Sequence, residues 1–211
     1  MEILNFELYR PTAMELWIQA KFEEGGIRTP EDLEDLDHIA SLFDAFIAYT
    51  EGETKVIYDE DGDCLIFLNI HMDRYEQRLA FFHELCHPAL HAGNQRELPP
   101  SFVSLQETQA GLFQQYSAMP LHMLRDVMAI QNQPPSCYRQ IAEAFGVPAE
   151  FAEARLERIT RRMNQERRDR NLRARLATLP AFKHGYSEAT TKLLVQLQRQ
   201  TYEKKGATSQ R

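Results

Sequence analysis

Apolar positions in the first part of the chain recur at helical spacing. Thr12 to Phe22 carries Leu16, Ile18 and Phe22 as apolar marks, and Gly25-Gly26 predicts where that helix stops. A second helix is expected from Thr29-Pro30-Glu31-Asp32, where Thr29 suits an N-cap, Pro30 the first turn, and Asp32 stands three residues on. Leu33, Leu36, Ile39, Ala40 and Phe43 then follow at helical spacing. After Asp44 the period shortens. Phe46 to Thr50, Lys55 to Tyr58 and Cys64 to Ile70 read as strands, and Asp59-Glu60-Asp61-Gly62 as the turn of a hairpin between the last two. The acids of that turn lack EF-hand spacing and read as a solvated turn.

Arg74 to Leu90 returns to a helical pattern, broken by Gly93 and Pro99-Pro100. Leu105 to Ala118 is the next expected helix, closed by Pro120, and Pro134-Pro135 marks a further break. Ile141, Ala142 and Phe145, then Gly146-Val147-Pro148, then Phe151, Ala154, Leu156 and Ile159 predict two helices joined by a tight turn. Arg161 to Leu179 is arginine-rich and helix-prone, and Lys204 to Arg211 reads as a polar, frayed end. The order predicts an α+β fold: N-terminal helices, a small antiparallel sheet of about three strands, and a helical C-terminal region. No internal repeat is visible.

Length and composition leave this picture intact. The 211 residues allow one sizeable core with a small appendage, and 43% hydrophobic with 26% charged residues reads as a soluble globular chain. The N-terminus lacks a basic n-region and an apolar h-region, so no secretory signal is expected, and no stretch is long and apolar enough to span a membrane. Three cysteines (Cys64, Cys86 and Cys137) with no CxxC pair argue against a disulfide framework and place the chain in the cytoplasm. The net charge of -7 is uneven, with fourteen acids and three bases from Lys21 to Asp63 and nine arginines with three acids from Arg155 to Arg175. Solvated helix faces are the first reading of such runs.

Candidate chemistry lies in His83-Glu84-Leu85-Cys86-His87. Residues four apart on a helix differ by about 40° around the axis, so His83 and His87 share a face and can grip one metal ion. Glu84 lies about 100° round from His83, where a carboxylate can act as general base toward a water at the ion without displacing a ligand. Leu79, Ala80, Phe81 and Phe82 before the motif, and Ala89 and Leu90 after it, predict a largely core-facing helix. Polar groups there need a partner, and a zinc ion is that partner.

The third ligand must come from elsewhere. Glu107 is the first choice: it opens the expected helix Glu107-Thr108-Gln109-Ala110-Gly111-Leu112-Phe113 and shares a face with Ala110 and Phe113. His91 competes, but histidines on three successive turns span about 12 Å of axis, too far for one zinc on a straight helix. Pro88 is the residue that could bend it. Cys86 points away from the histidine face and reads as packing. His38, His71, His122 and His184 have no ligand spacing. One of these histidines, or Tyr75 or Tyr116, is a candidate for polarising a scissile carbonyl, and the sequence does not choose among them.

The run Arg78-Leu79-Ala80-Phe81-Phe82-His83-Glu84-Leu85-Cys86-His87-Pro88-Ala89-Leu90-His91 resembles the active helix of the ImmA/IrrE family of zinc metallo-endopeptidases. Glu107 to Pro120, with alanine three on, phenylalanine six on and Met119-Pro120 at its end, resembles that family's second block. Ile141 to Ile159 resembles the helix-turn-helix-like region that follows it. Coverage runs from about Thr12 to Arg162. The chain departs from the usual pattern at Cys86, where glycine is common, at Pro88, and at Gly111, where asparagine or aspartate is common. The expected division is a minimal zincin core over 1–132 and a helix-turn-helix-like helical region over 133–180, as the resemblance implies, followed by a helical, polar tail over 181–211 read from its composition. It implies one Zn2+ on His83, His87 and Glu107 with Glu84 as general base, a ligand set like that of thermolysin-like zincins. The implied substrate is a protein, a helix-turn-helix transcriptional repressor of the kind found on phage or other mobile elements.

Two other functions fit the same residues: a catalytically weak or inactive zinc-fold protein that binds a regulator, and a DNA-binding protein using the C-terminal helices. Direct nucleic-acid binding ranks last, because the helix-turn-helix-like segment is not strongly basic until Arg155. An extended substrate is expected to pair with the edge of the strand Cys64 to Ile70.

Overall fold

Thr12 opens the first helix, α1 (Ala13–Glu24), with a reciprocal capping box in which its hydroxyl accepts the Glu15 amide and the Glu15 carboxylate accepts the Thr12 amide. The structure is a computed structural model that describes residues 6–58, 63–91, 98–131, 138–178 and 187–197. Ile18 and Phe22 of α1 are buried as their spacing predicts, whereas Leu16 is exposed and Glu15 is buried instead.

The single helix expected after Thr29 is two pieces. A 3-10 turn over Glu31–Glu34 is followed by α2 (Leu36–Ser41). Asp35 separates them, with ψ near 80° and its carboxylate accepting the His38 amide as the cap of α2. Thr29 does not cap with its side chain; Asp32 instead accepts the Arg28 and Thr29 amides, each at 2.8 Å. The change of period at Asp44 marks a left-handed residue, φ 54°, that turns the chain into the sheet.

Three strands form, β1 (Ala45–Thr50), β2 (Lys55–Tyr58) and β3 (Cys64–Asn69), in the spatial order β1-β3-β2. β2 and β3 are the expected antiparallel hairpin, but β1 pairs with β3 in parallel, so the sheet is mixed rather than antiparallel. The most apolar strand, β3, takes the central position, and its Cys64, Ile66 and Leu68 are buried on one face. The hairpin turn expected at Asp59 to Gly62 lies outside the described residues.

Six further helices follow among the described residues. They are α3 (Arg74–Leu90), α4 (Pro100–Ala118), α5 (Leu121–Gln131), α6 (Tyr138–Phe145), α7 (Ala149–Thr178) and α8 over 188–197. Pro99-Pro100 starts α4 rather than ending a loop: Pro100 stands in the first turn, where a missing amide costs nothing. The helix α5, after Pro120, was not marked by the apolar pattern. Pro134-Pro135, His184 and the polar end from Lys204 lie outside the described residues. Gly146, between α6 and α7, has φ 57°, and a Cβ there would lie 2.9 Å from Nη1 of Arg78. The positive φ is what favours glycine here, since the end of the Arg78 side chain could shift to admit a Cβ.

Met1–Arg167 and Arg168–Arg211 form two compact units. In the first, one core joins Ile18 and Phe22 of α1, Ile66 and Leu68 of β3, Phe81, Phe82 and Leu85 of α3, Ala110 and Phe113 of α4, and Phe145, Leu156 and Ile159 further on. The described part of the second unit is the end of α7 and α8, where Leu193, Val195 and Leu197 are exposed.

The core also holds an ion pair. Arg155 of α7 is fully buried, and its Nη2 lies 2.8 Å from Oε1 of Glu15. Its Nε donates to the Met119 carbonyl at 3.3 Å, and its guanidinium lies over the Tyr116 ring at 4.7 Å. The Tyr9 hydroxyl donates to the same Glu15 carboxylate at 2.7 Å. Burial pushes the Glu15 carboxyl up, but Arg155, the Thr12 amide and the hydrogen bonds from Arg155 and Tyr9 outweigh it and hold the group below its usual range.

Removing one partner leaves a buried charge uncompensated. Glu15→Leu is expected to destabilise by about 3–5 kcal/mol, and Glu15→Leu with Arg155→Met by clearly less. Because the folded-state pKa of Glu15 is depressed, its contribution is complete above the unfolded carboxylate range and is lost as pH falls through the folded value. Denaturant midpoints between neutral pH and pH of about 3 should fall more steeply for the wild type than for the double variant. Equal slopes would sink the assignment.

Candidate metal centre

Asp73 caps α3 with a box closed by Glu76, so the helix begins at a defined residue and carries its periodicity into the motif. Phe81, Phe82, Leu85 and Cys86 face the core, and His83 and His87 emerge on one side with ring centroids 5.6 Å apart. Pro88 lies inside α3, which continues to Leu90. Glu107 sits within α4 rather than opening it, because that helix begins at Pro100. Two contacts set α4 against α3: Gln114 Nε2 donates to the Leu79 carbonyl at 2.8 Å, and Arg78 Nη2 reaches the Ala118 carbonyl at 3.5 Å.

This register brings Glu107 to the histidines. His83 Nε2 lies 3.1 Å from Glu107 Oε2, and His87 Nε2 lies 3.8 Å from Oε1. One donor atom from each of His83, His87 and Glu107 lies within 4.8 Å of the others, a grouping that can hold a metal ion. Ligands of a tetrahedral ion with bonds of 2.0–2.2 Å stand about 3.4 Å apart, so the donors fit with small shifts. Two imidazoles and one carboxylate are also a donor set of the catalytic zinc type.

The surroundings prepare these groups. Burial lowers the His87 pKa, and the neighbouring imidazoles add to this against the pull of Glu107. The ring is therefore held neutral, the form that binds a metal. Burial raises the Glu84 carboxyl, His83 opposes it, Glu107 adds to it, and a hydrogen bond from the Val56 backbone amide opposes it. Glu84 is thus a carboxylate beside the donor group with a pKa moved toward neutrality. Cys86 is buried, and burial pushes its thiol up to about 12, which keeps it protonated and poor as a ligand.

His91 stands behind His87 and outside the donor group. Its backbone is extended at the end of α3, its Nδ1 is 3.0 Å from His87 Nδ1, and its Nε2 is 3.0 Å from Gln109 Oε1. His38 lies against the Gly25 carbonyl at 2.8 Å, and His122 is held toward its neutral form by burial. Neither tyrosine stands at the donor group. Tyr75 is about 12 Å down the axis of α3 from His83, and Tyr116 about 13 Å along α4 from Glu107. The residues that periodicity missed are Gln109 and the Val56 amide. Both reach the site from another element, and local spacing carries no signal for either.

The strand edge near Glu84 belongs to β2, not to Cys64–Asn69. β3 is paired on both sides and has no edge to offer a substrate, which corrects the expectation for that strand. No helix among the described residues is long and apolar enough to cross a membrane.

Comparison with known proteins places this geometry in context. Residues 45–157 match the IrrE N-terminal-like domain of the M78 peptidases. Phage-like element PBSX protein XkdA of Bacillus subtilis (strain 168) is 34% identical over 150 residues, covering 71% of this chain and 74% of that protein. A transcriptional regulator of Mycobacterium tuberculosis aligns in structure with a TM-score of 0.47 and 13% identity, covering 69% of this chain and 47% of the other. A domain match across the sheet, both site helices and the start of α7, with a relative aligned over most of the chain, establishes that this protein belongs to the ImmA/IrrE family.

Proposed function

We propose that this chain is a zinc-dependent endopeptidase in which His83, His87 and Glu107 hold the ion and Glu84 is the general base. The observation that carries this reading is the convergence of three donor atoms within 4.8 Å, drawn from two helices, with Glu84 one residue from the first of them. A zinc ion held there supplies Lewis acidity to the attacking water and the scissile carbonyl. Glu84 takes the water proton on its carboxylate and delivers it to the departing amine nitrogen. The Val56 amide opposes the rise of that carboxylate's pKa. Val56 belongs to β2, one of the two edge strands, and its outer edge is the one we assign to an extended peptide.

The substrate we assign is a protein, a helix-turn-helix repressor of a mobile element. Membership of the ImmA/IrrE family supports it, as does a relative whose name places it in a phage-like element.

Glu84→Gln should retain zinc and lose about 10²–10⁴-fold in cleavage of a helix-turn-helix repressor that the wild type cuts, followed by gel and mass spectrometry. Unchanged cleavage with zinc bound would remove Glu84 from the mechanism. Zinc should raise the unfolding midpoint of the metal-free wild type, by about 2.7 kcal/mol of stability at a hundredfold excess over Kd. His83→Ala should abolish that shift, and a variant that still responds like the wild type would show the ion binding elsewhere.

A further inference from the structure

His87 of α3, His91 just after its end and Gln109 of α4 form a line. His87 Nδ1 meets His91 Nδ1 at 3.0 Å, and His91 Nε2 meets Gln109 Oε1 at 3.0 Å. The His87 and His91 rings are 5.1 Å apart, centroid to centroid. His87 is buried, and His91 and Gln109 are half-buried, so these hydrogen bonds are partly shielded from water.

A neutral imidazole carries one N–H and one lone pair, so the line has a direction. In one arrangement His91 Nε2–H donates to the Gln109 oxygen. His91 Nδ1 then accepts the proton of His87 Nδ1, and His87 keeps a lone pair on Nε2, the atom that faces Glu107. In the reverse arrangement the Gln109 amide turns its NH₂ toward His91. The proton between the rings then belongs to His91, and His87 carries its own on Nε2, where it blocks a metal. The choice is made at the far end of the line, by whether residue 109 offers an acceptor.

We infer that His91 and Gln109 are positioning residues that set the tautomer and ring orientation of His87 for metal binding. The inference rests on the zinc reading of His83, His87 and Glu107 given above. It also gives His91 a role other than third ligand: both of its ring nitrogens are engaged, one with His87 and one with Gln109. Partners of this kind orient a ligand and raise its basicity, and their loss costs about 10–100-fold in metal affinity.

Zinc affinity is measured by competition with a chromophoric chelator at fixed pH on the full chain, with circular dichroism verifying the fold of each variant. Gln109→Met keeps the length of the side chain and removes the acceptor; it should weaken binding about 10–100-fold. Gln109→Glu is an acceptor only and should bind at least as tightly as the wild type. His91→Phe keeps a ring and removes both nitrogens; it should weaken binding about as much as Gln109→Met while leaving one zinc per chain. A packing role predicts the opposite order at position 109, with methionine tolerated and glutamate harmful, and that order overturns the inference. Wild-type affinity in His91→Phe overturns it too. A wild-type chain that binds no zinc overturns both this inference and the zinc reading, whereas normal zinc binding that none of the variants weakens overturns this inference alone.

Discussion

The site depends on the register of α4 against α3. α3 supplies His83, Glu84 and His87, with His91 just past its end, α4 supplies Glu107 and Gln109, and no element carries a complete donor set. A slip of one residue along α4 would move Glu107 by about 1.5 Å and turn it by about 100°. The register is held by shape and by hydrogen bonds. Phe81, Phe82 and Leu85 of α3 and Ala110 and Phe113 of α4 are fully buried in one core, which tolerates little sliding. Gln114 then ties α4 to the Leu79 carbonyl midway along α3, and Arg78 reaches the carbonyl of the last residue of α4. Cations are favoured at a helix C-terminus, so Arg78 is placed where a buried charge costs least.

The end of α4 is also where the buried ion pair acts. Arg155 donates to the Met119 carbonyl, stacks on Tyr116 and pairs with Glu15, so one guanidinium joins α1, α4 and α7. Desolvating two charges costs several kcal/mol per ion, and such a pair is tolerated only when the remaining donors and lone pairs are met. Here the carboxylate is well supplied, by Thr12, Tyr9 and Arg155, while Nη1 of Arg155 is buried without a hydrogen-bond partner, so the pair is not fully met. Well-packed apolar residues could replace it for stability alone. Its particular effect is to fix direction: a carboxylate on α1 and a carbonyl after α4 are met by one rigid, planar group.

Legibility in the sequence followed the range of the forces involved. Helices with local caps, such as α1 behind Thr12, and the motif on α3 were readable, because the deciding contacts lie within four residues. The hairpin of β2 and β3 was readable because its pairs still lie close in sequence, from Tyr58 with Cys64 to Lys55 with Phe67. The parallel pairing of β1 was not, since nothing near Phe46 to Thr50 indicates that the chain passes over β3 before returning to it. Asp35 broke a helix whose apolar spacing ran through it, because a side-chain cap outweighed a weak propensity. Pro100 was read as a break when it was a start, since proline serves both positions. Of the site, His83 and His87 followed from helical angle, and Glu107 from its spacing with Ala110 and Phe113. Gln109, the Val56 amide and the burial of Glu15 depend on partners 18 to 140 residues away, and local pattern carries none of that.

Burial of the motif face acts on two neighbouring groups with opposite sign. Desolvation disfavours charge, so it lowers the pKa of His87 and raises that of Glu84. For a metal ligand the first effect helps, since a protonated imidazole cannot coordinate. For a base the second helps only up to a point, since a carboxylate raised too far arrives already protonated. The two cannot be tuned separately by changing how deeply α3 is buried. They can be separated by hydrogen bonds that reach one group and not the other. The amide of Val56 supplies the carboxylate with such a bond and opposes its rise, while His91 and Gln109 reach the imidazole from the far side. On the proposed mechanism, depth of burial sets the common environment of acid and ligand, and these contacts from β2 and α4 adjust each one independently.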